Sequence, residues 1–197
     1  CGDFSQFIVS TRPDCVGEDV ADLLSQYITP EREVWVELGL QSASDETLKR
    51  INRGHTLSDY ITCAERLHKR GIKICTHVII GLPGEERKDF IKTAEALNQV
   101  GSEGVKIHNL HIPGGTRMAQ DYLDGEIVSW STERYMNEVQ YFLRLLNPGM
   151  IVQRLVCETP AHRLMAPRHF MDKSLFLRTL NDKMERDDTR QGDLYEG

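Results

Sequence analysis

The sequence predicts an α/β fold built on a parallel sheet, flat or curved into part of a barrel. Three observations lead there. Short β-rich runs alternate with longer stretches of helical period, the run HVII at 77–80 is continuous enough for a strand buried on both faces, and polar residues collect where each strand gives way to a loop. The chain has 197 residues, 40% of them hydrophobic and 27% charged. That length suits one domain burying about 70% of its unfolded surface.

The elements follow in order. A strand at 7–10 precedes a helix near 19–28, stopped by Pro30, and a second strand at 34–39. Ser44, followed by Asp45 and Glu46, starts a helix ending near Asn52, because a serine hydroxyl accepts an orphan amide and early acids complement the helix dipole. Tyr60, Ile61, Ala64 and Leu67 set the period of a helix at 58–70, and Gly71 stops it. A strand at 72–80, a helix at 85–100, a strand at 105–112, a short helix at 116–123, a longer one at 132–146 and a fifth strand at 150–156 continue the alternation. Beyond Val156 the strand pattern stops. The expected organisation is a βα unit over 1–156, a helical extension over 157–186 with its helix at 172–186, and a flexible tail over 187–197.

Composition narrows the function. The net charge of −6 argues against a general phosphate-binding surface. No apolar run approaches the roughly 18 residues a membrane helix needs, and no signal-peptide pattern opens the chain, so a cytoplasmic protein is expected. Five cysteines (Cys1, Cys15, Cys63, Cys75 and Cys157) at wide, irregular spacing read as reduced thiols.

In parallel βα folds, ligands gather at the carboxyl ends of the strands. Four strand ends here are polar: STRPD at 10–14, ELGLQS at 37–42, HVIIGLPGE at 77–85 and HNLHIPGGT at 108–116. Glu37 stands inside an apolar strand with Gly39 and Gln41 on the same side. Such a carboxylate suits a ribose-like diol, since it can accept from two vicinal hydroxyls; equally, it suits a buried acid neutralised by Arg12 or Arg53. Gly81 either makes the turn or lets a flat adenine approach. His108 and His111, at odd spacing on one strand, face opposite ways and read as cavity-lining residues rather than metal ligands. Cys157, His162 and His169 match no common zinc spacing.

The stretches VELGLQSASDETLKRINRGHT and AERLHKRGIKICTHVIIGLPGE resemble the radical S-adenosylmethionine (SAM) enzymes, most nearly the radical SAM domain of the Elongator catalytic subunit. Through STRPDC, ELGLQ, INRGH, GLPGE and LHIPGGT, residues 6–170 are similar to the YhcC-type group of bacterial radical SAM proteins. The resemblance implies a partial (βα) TIM-type barrel with its helices on the outer face. It also implies SAM and a 4Fe-4S cluster as cofactors, and a parent enzyme whose 5′-deoxyadenosyl radical abstracts hydrogen from an unknown substrate.

Carried over by position, Gln41 lies near the ribose and Arg53, twelve residues on, near the methionine carboxylate. Glu37 matches a strand glutamate of the Elongator-like proteins. His77 stands where related enzymes place an aspartate, and Ser10 replaces a family glutamate. With Gly81 these are the expected cofactor residues; Arg12, His108 and His111 are the expected substrate-cavity residues, and Cys157 a candidate radical relay. The CxxxCxxC cluster motif of the family is absent from the sequence. Its ligands are therefore expected upstream of Cys1, in an amino-terminal part of the same protein, and the chain alone is expected to cleave no SAM. An RNA substrate fits the Elongator likeness but not the net charge. The competing expectation is a non-catalytic βα domain that binds a nucleotide or a protein partner at its strand ends.

Overall fold

The computed structural model describes residues 4–197; Cys1 lies outside them. The strands are β1 (Gln6–Thr11), β2 (Glu33–Gln41), β3 (Lys73–Ile80), β4 (Gly104–Asn109), β5 (Ile112–Pro113), β6 (Ile151–Arg154) and β7 (Leu164–Ala166). The helices are α1 (Glu18–Ser25), α2 (Asp45–Arg50), α3 (Leu57–His68), α4 (Arg87–Val100), α5 (Arg117–Leu123), α6 (Thr132–Leu145) and α7 (Lys173–Arg186), with a 3-10 turn at Pro13–Cys15. Five strands form one parallel sheet in the order β1-β2-β3-β4-β6, and β5 pairs antiparallel with β7.

The helices begin where side chains can satisfy orphan amides. Ser44 accepts from Thr47 N at 3.3 Å, Thr56 and Asp59 cap α3 reciprocally, and Asp172 accepts from Ser174 N at 2.9 Å and Leu175 N at 3.2 Å. Each such cap contributes about 1 kcal/mol.

Register assigns the two faces of the sheet. Val34, Val36, Leu38 and Leu40 of β2 alternate onto the same side as Ile74, Val78 and Ile80 of β3 and Val105 and Ile107 of β4. All of them join one core cluster with Tyr60 and Leu67 of α3, Phe90 and Leu97 of α4 and Val139 and Phe142 of α6. Truncating a fully buried member such as Leu38 to alanine would cost about 2–5 kcal/mol. The helices thus cover one face of the sheet. The opposite, inner face carries Ser10, Glu37, Gly39, Cys75, His77, Lys106, His108 and Arg154, and past the register shift at the end of β2 the Gln41 side chain reaches back over Gly39.

The expected parallel α/β architecture with outer helices is the one observed, and β1 forms an edge of the sheet. Three expectations change. The strand expected at 105–112 divides: β4 stops at Asn109, whose side chain accepts from Cys157 N at 3.1 Å, and β5 resumes at Ile112. The segment after Val156 does contain a strand, β7, too short for alternation to reveal. The 187–197 segment is docked rather than flexible: Leu194 N donates to Arg144 O at 2.9 Å, Arg144 pairs with Asp193 at 2.8 Å, and Gln191 Nε2 donates to the carbonyls of Asn147 and Met150. Its polar composition hid a set of contacts made to backbone groups at the end of α6.

Candidate active site on the inner face of the sheet

Glu37 is the centre of the inner face. Ser10 Oγ donates to its Oε2 at 2.7 Å, Lys106 Nζ bonds its Oε1, and His77 Nε2 approaches Oε2 at 3.2 Å without the alignment of a hydrogen bond. Burial would raise the Glu37 carboxyl, but the Lys106 and Ser10 hydrogen bonds and the nearby positive charge hold it below its usual range. The acid is therefore neutralised by Lys106, not by Arg12 or Arg53 as the sequence suggested. The reason is register: Lys106 lies one strand beyond His77 on the same face, a position invisible without knowing which strands are neighbours.

At the carboxyl end of β2 a second group converges. Arg53 Nη2 donates to Gly39 O at 2.9 Å, while its Nε is buried without a partner among the described residues. A Cβ placed on Gly39 would lie 2.8 Å from Gln41 Nε2 and 3.0 Å from Arg53 Nη2, so the missing side chain is what lets these two groups meet. Gln41 adopts φ 73°, a left-handed conformation unusual for a residue other than glycine, where the β2–β3 register shifts. His55, 4% exposed, bonds Leu40 O through Nε2 at 3.2 Å, and its Nδ1 also lacks a partner. Arg12 pairs with Asp14 at 2.7 Å, beside Gly54, at the rim of this group.

Towards β4 and β6 the face is basic and imidazole-rich. The His77 and His108 rings stand 5.3 Å apart, and Arg154 Nη1 lies 3.4 Å from His108 Nε2. Burial lowers both imidazoles; with His77, Arg154 and Lys106 adding to it, His108 falls to about 4. Both rings are neutral at pH 7.

The structure thus brings Ser10, Glu37 and His77 into one cluster and Gln41 and Arg53 into another on the same face. It separates the two histidines expected to line the substrate cavity. His108 belongs to the inner face, but His111 lies beyond β4, where Asn109 Nδ2 meets its Nε2 at 2.8 Å, Thr159 Oγ1 its Nδ1 at 2.6 Å, and Cys157 Sγ lies 3.7 Å away. That group borders a cavity of about 210 Å³ lined by the 157–173 segment. Gly81 does not leave its face open: a Cβ there would touch the Trp130 indole at 3.4 Å, so the flat group packed against it is a side chain of this protein.

Lys106 and Arg154 went unremarked in the sequence, although the i, i+2 spacing of Lys106 and His108 on one strand already puts both on one face. Glu85, read in the sequence only as the end of the GLPGE turn, is a buried acid. It is 7% exposed, bonded by Ser42, and pushed up to about 7 by burial. No three His, Cys, Asp or Glu side chains among the described residues form a metal-holding group, so these residues do not fit an iron-sulfur cluster.

Residues 4–97 match the family model described as the radical SAM superfamily, and residues 102–186 match that of the radical SAM C-terminal domain. The chain belongs to the radical SAM superfamily. It is 35% identical over 185 residues to the uncharacterized protein MJ0486 of Methanocaldococcus jannaschii, covering 93% of this chain and 58% of that one. It is 40% identical over 159 residues to protein YhcC of Escherichia coli K12, covering 81% and 52%. The chain thus spans just over half the length of these relatives. In fold it resembles the archaeal Elp3 of Methanocaldococcus infernus solved with residues 1–46 deleted, with a TM-score of 0.78, 23% identity, and coverage of 93% of this chain and 42% of that one. The five parallel strands of this radical SAM chain are accordingly the wall of a partial (βα) barrel with helices outside. SAM and a 4Fe-4S cluster are the cofactors of its family. Among the described residues no helix is long and apolar enough to cross a membrane.

Proposed function

We propose that the inner face of this sheet holds SAM and orients it toward a substrate within a radical SAM enzyme. The observation that supports this reading is the meeting of Gln41 and Arg53 over Gly39, with Arg53 Nε buried and unpaired. A buried donor without an acceptor costs about 1–3 kcal/mol, which a carboxylate arriving there would recover. Arg53 suits the methionine carboxylate because its planar fork can serve both oxygens, and the Gln41 amide beside it offers both a donor and an acceptor. Glu37, ionised at neutral pH, retains lone pairs with which to accept from ribose hydroxyls, and Lys106 and Ser10 fix its orientation. This reading leaves Gly81 out, because the Trp130 indole packs where a Cβ on it would stand.

SAM held by Gln41, Arg53 and Glu37 would supply the radical chemistry of its family together with a 4Fe-4S cluster. The described residues hold no ligands for that cluster, and the proposed role of this chain is cofactor binding and orientation. Titration calorimetry with SAM on the wild-type protein and Arg53→Ala tests the assignment. Loss of a charge-assisted contact worth about 1.5–3 kcal/mol should weaken binding roughly ten- to a hundredfold. Unchanged affinity would make Arg53 a structural residue tied to Gly39 O.

A further inference from the structure

The SAM assignment uses the β1–β3 side of the inner face and leaves the β4–β6 side unexplained. Gly39, His77, Lys106 and Arg154 form one register row across four neighbouring strands. At about 4.8 Å per strand, Arg154 is based on the order of 14 Å from Gly39. That separation puts it outside the Gln41–Arg53 group and beside whatever lies next to the cofactor.

The charges on this side do not balance. Glu37 is met by Lys106, and both imidazoles are neutral at pH 7. Arg154 has no carboxylate within salt-bridge distance among the described residues; its contact is His108 Nε2. Because a guanidinium only donates, Nε2 is the accepting nitrogen, and the proton of a neutral His108 sits on Nδ1. The remaining Arg154 N–H groups and the His108 Nδ1–H are therefore neighbouring donors on an open face, carrying an unbalanced positive charge in a chain of net charge −6.

Building on the SAM reading, we propose that Arg154 and His108, backed by Lys106, form the subsite that receives an anionic group of the substrate, a carboxylate or a phosphate. Two adjacent donors and one fixed positive charge suit an anion with two accessible oxygens. Placed there, the group would anchor the substrate beside the cofactor and set its approach.

The test is an anion titration of the full chain, followed through the histidine ring nitrogens and the Arg154 Nε–H by NMR, with sodium phosphate and sodium acetate in separate arms and sodium chloride as the ionic-strength control. The groups around His108 are His77, Lys106, Arg154 and His111. A bound anion offsets the positive ones, so His108 should titrate at higher pH. Saturable shifts at His108 and Arg154 are expected, with phosphate if the substrate group is a phosphate and with acetate if it is a carboxylate. Arg154→Gln should weaken the response at least tenfold with the remaining spectrum intact. Shifts no larger than those given by chloride, or equal saturation in Arg154→Gln, would overturn the subsite. Failure of the SAM reading registers elsewhere, as unchanged SAM affinity in Arg53→Ala, and leaves the anion titration as it was.

Discussion

Replacing Lys106 with methionine keeps most of its aliphatic length and deletes the charge that neutralises Glu37. Both side chains are 13% exposed, so the pair is largely buried. Removing one partner of a buried pair typically costs about 3–5 kcal/mol, because the other charge is left uncompensated. Glu37 would keep Ser10 and the nearby His77, which places the expected loss lower, at about 2–3 kcal/mol. Two titrations should move with it. The Glu37 carboxyl should rise, and His77, relieved of the Lys106 charge that helps to lower it, should rise as well. The pH dependence follows in sign: Glu37 titrates lower in the folded chain than the ordinary 4.5, so its stabilisation is complete above that value and fades as pH falls through the folded value. In Lys106→Met the folded value moves back toward or past 4.5, so this pH-dependent contribution should shrink. Urea unfolding at pH 7, with Lys106→Met, Glu37→Gln and the double variant forming a cycle, measures the coupling, and histidine NMR follows His77. The double variant should recover at least half of the single variant's loss. A double variant no more stable than Lys106→Met, with His77 unmoved, would refute the pairing and with it the fixed orientation of Glu37.

Glu85 has the opposite sign. Its carboxyl is raised from 4.5 to about 7, so its stabilising protonated form is complete below 4.5 and lost as pH rises to 7; wild-type stability should fall by up to about 3 kcal/mol over that range relative to Glu85→Gln, as read by denaturant unfolding at each pH. Gly39→Ala should push Gln41 and Arg53 apart and weaken SAM binding about tenfold by calorimetry, with only a small change in melting temperature because the displaced atoms end flexible side chains. Burial raises Cys63 to about 11 and Cys75 to about 12 and also raises Cys157, whereas Cys15 is exposed. Brief alkylation at pH 8 read by mass spectrometry should therefore modify Cys15 first among these four, and all four only after unfolding.

The alternation of elements was legible because each strand and helix on the helix-covered face follows its own period and cap. Ser44 as a start and Gly71 as a stop mark boundaries that the structure keeps to within about three residues, whereas the Thr56–Asp59 cap that starts α3 was not read from the sequence. Gln41 and Arg53 were singled out through the family resemblance, and Gly39 between them was visible in the strand itself. Lys106 as the partner of Glu37 was not legible. The two residues are 69 positions apart, and their contact depends on β2 and β4 flanking β3 in matching register. Trp130 over Gly81 escaped for the same reason, since it comes from the segment before α6.

The division of labour between the two faces explains why a polar site can persist on this sheet. Fully buried aliphatic residues of β2, β3 and β4 pack against three helices and carry the stability of the wall, so the opposite side chains need not form a core. Freed from that demand, the inner face can hold a lysine–glutamate pair, two neutral imidazoles and unpaired arginine donors, arrangements that a core would penalise by several kcal/mol. Apart from His77 Nε2 on β3, the groups left without partners lie to either side of the satisfied Lys106–Glu37 pair: Arg53 Nε and His55 Nδ1 beside β2, and the free donors of Arg154 on β6. This is the arrangement the proposed SAM and anion subsites call for, a satisfied ion pair with free donors to either side of it. It matches the demand of a reaction in which one molecule must be held still while a second is brought to it.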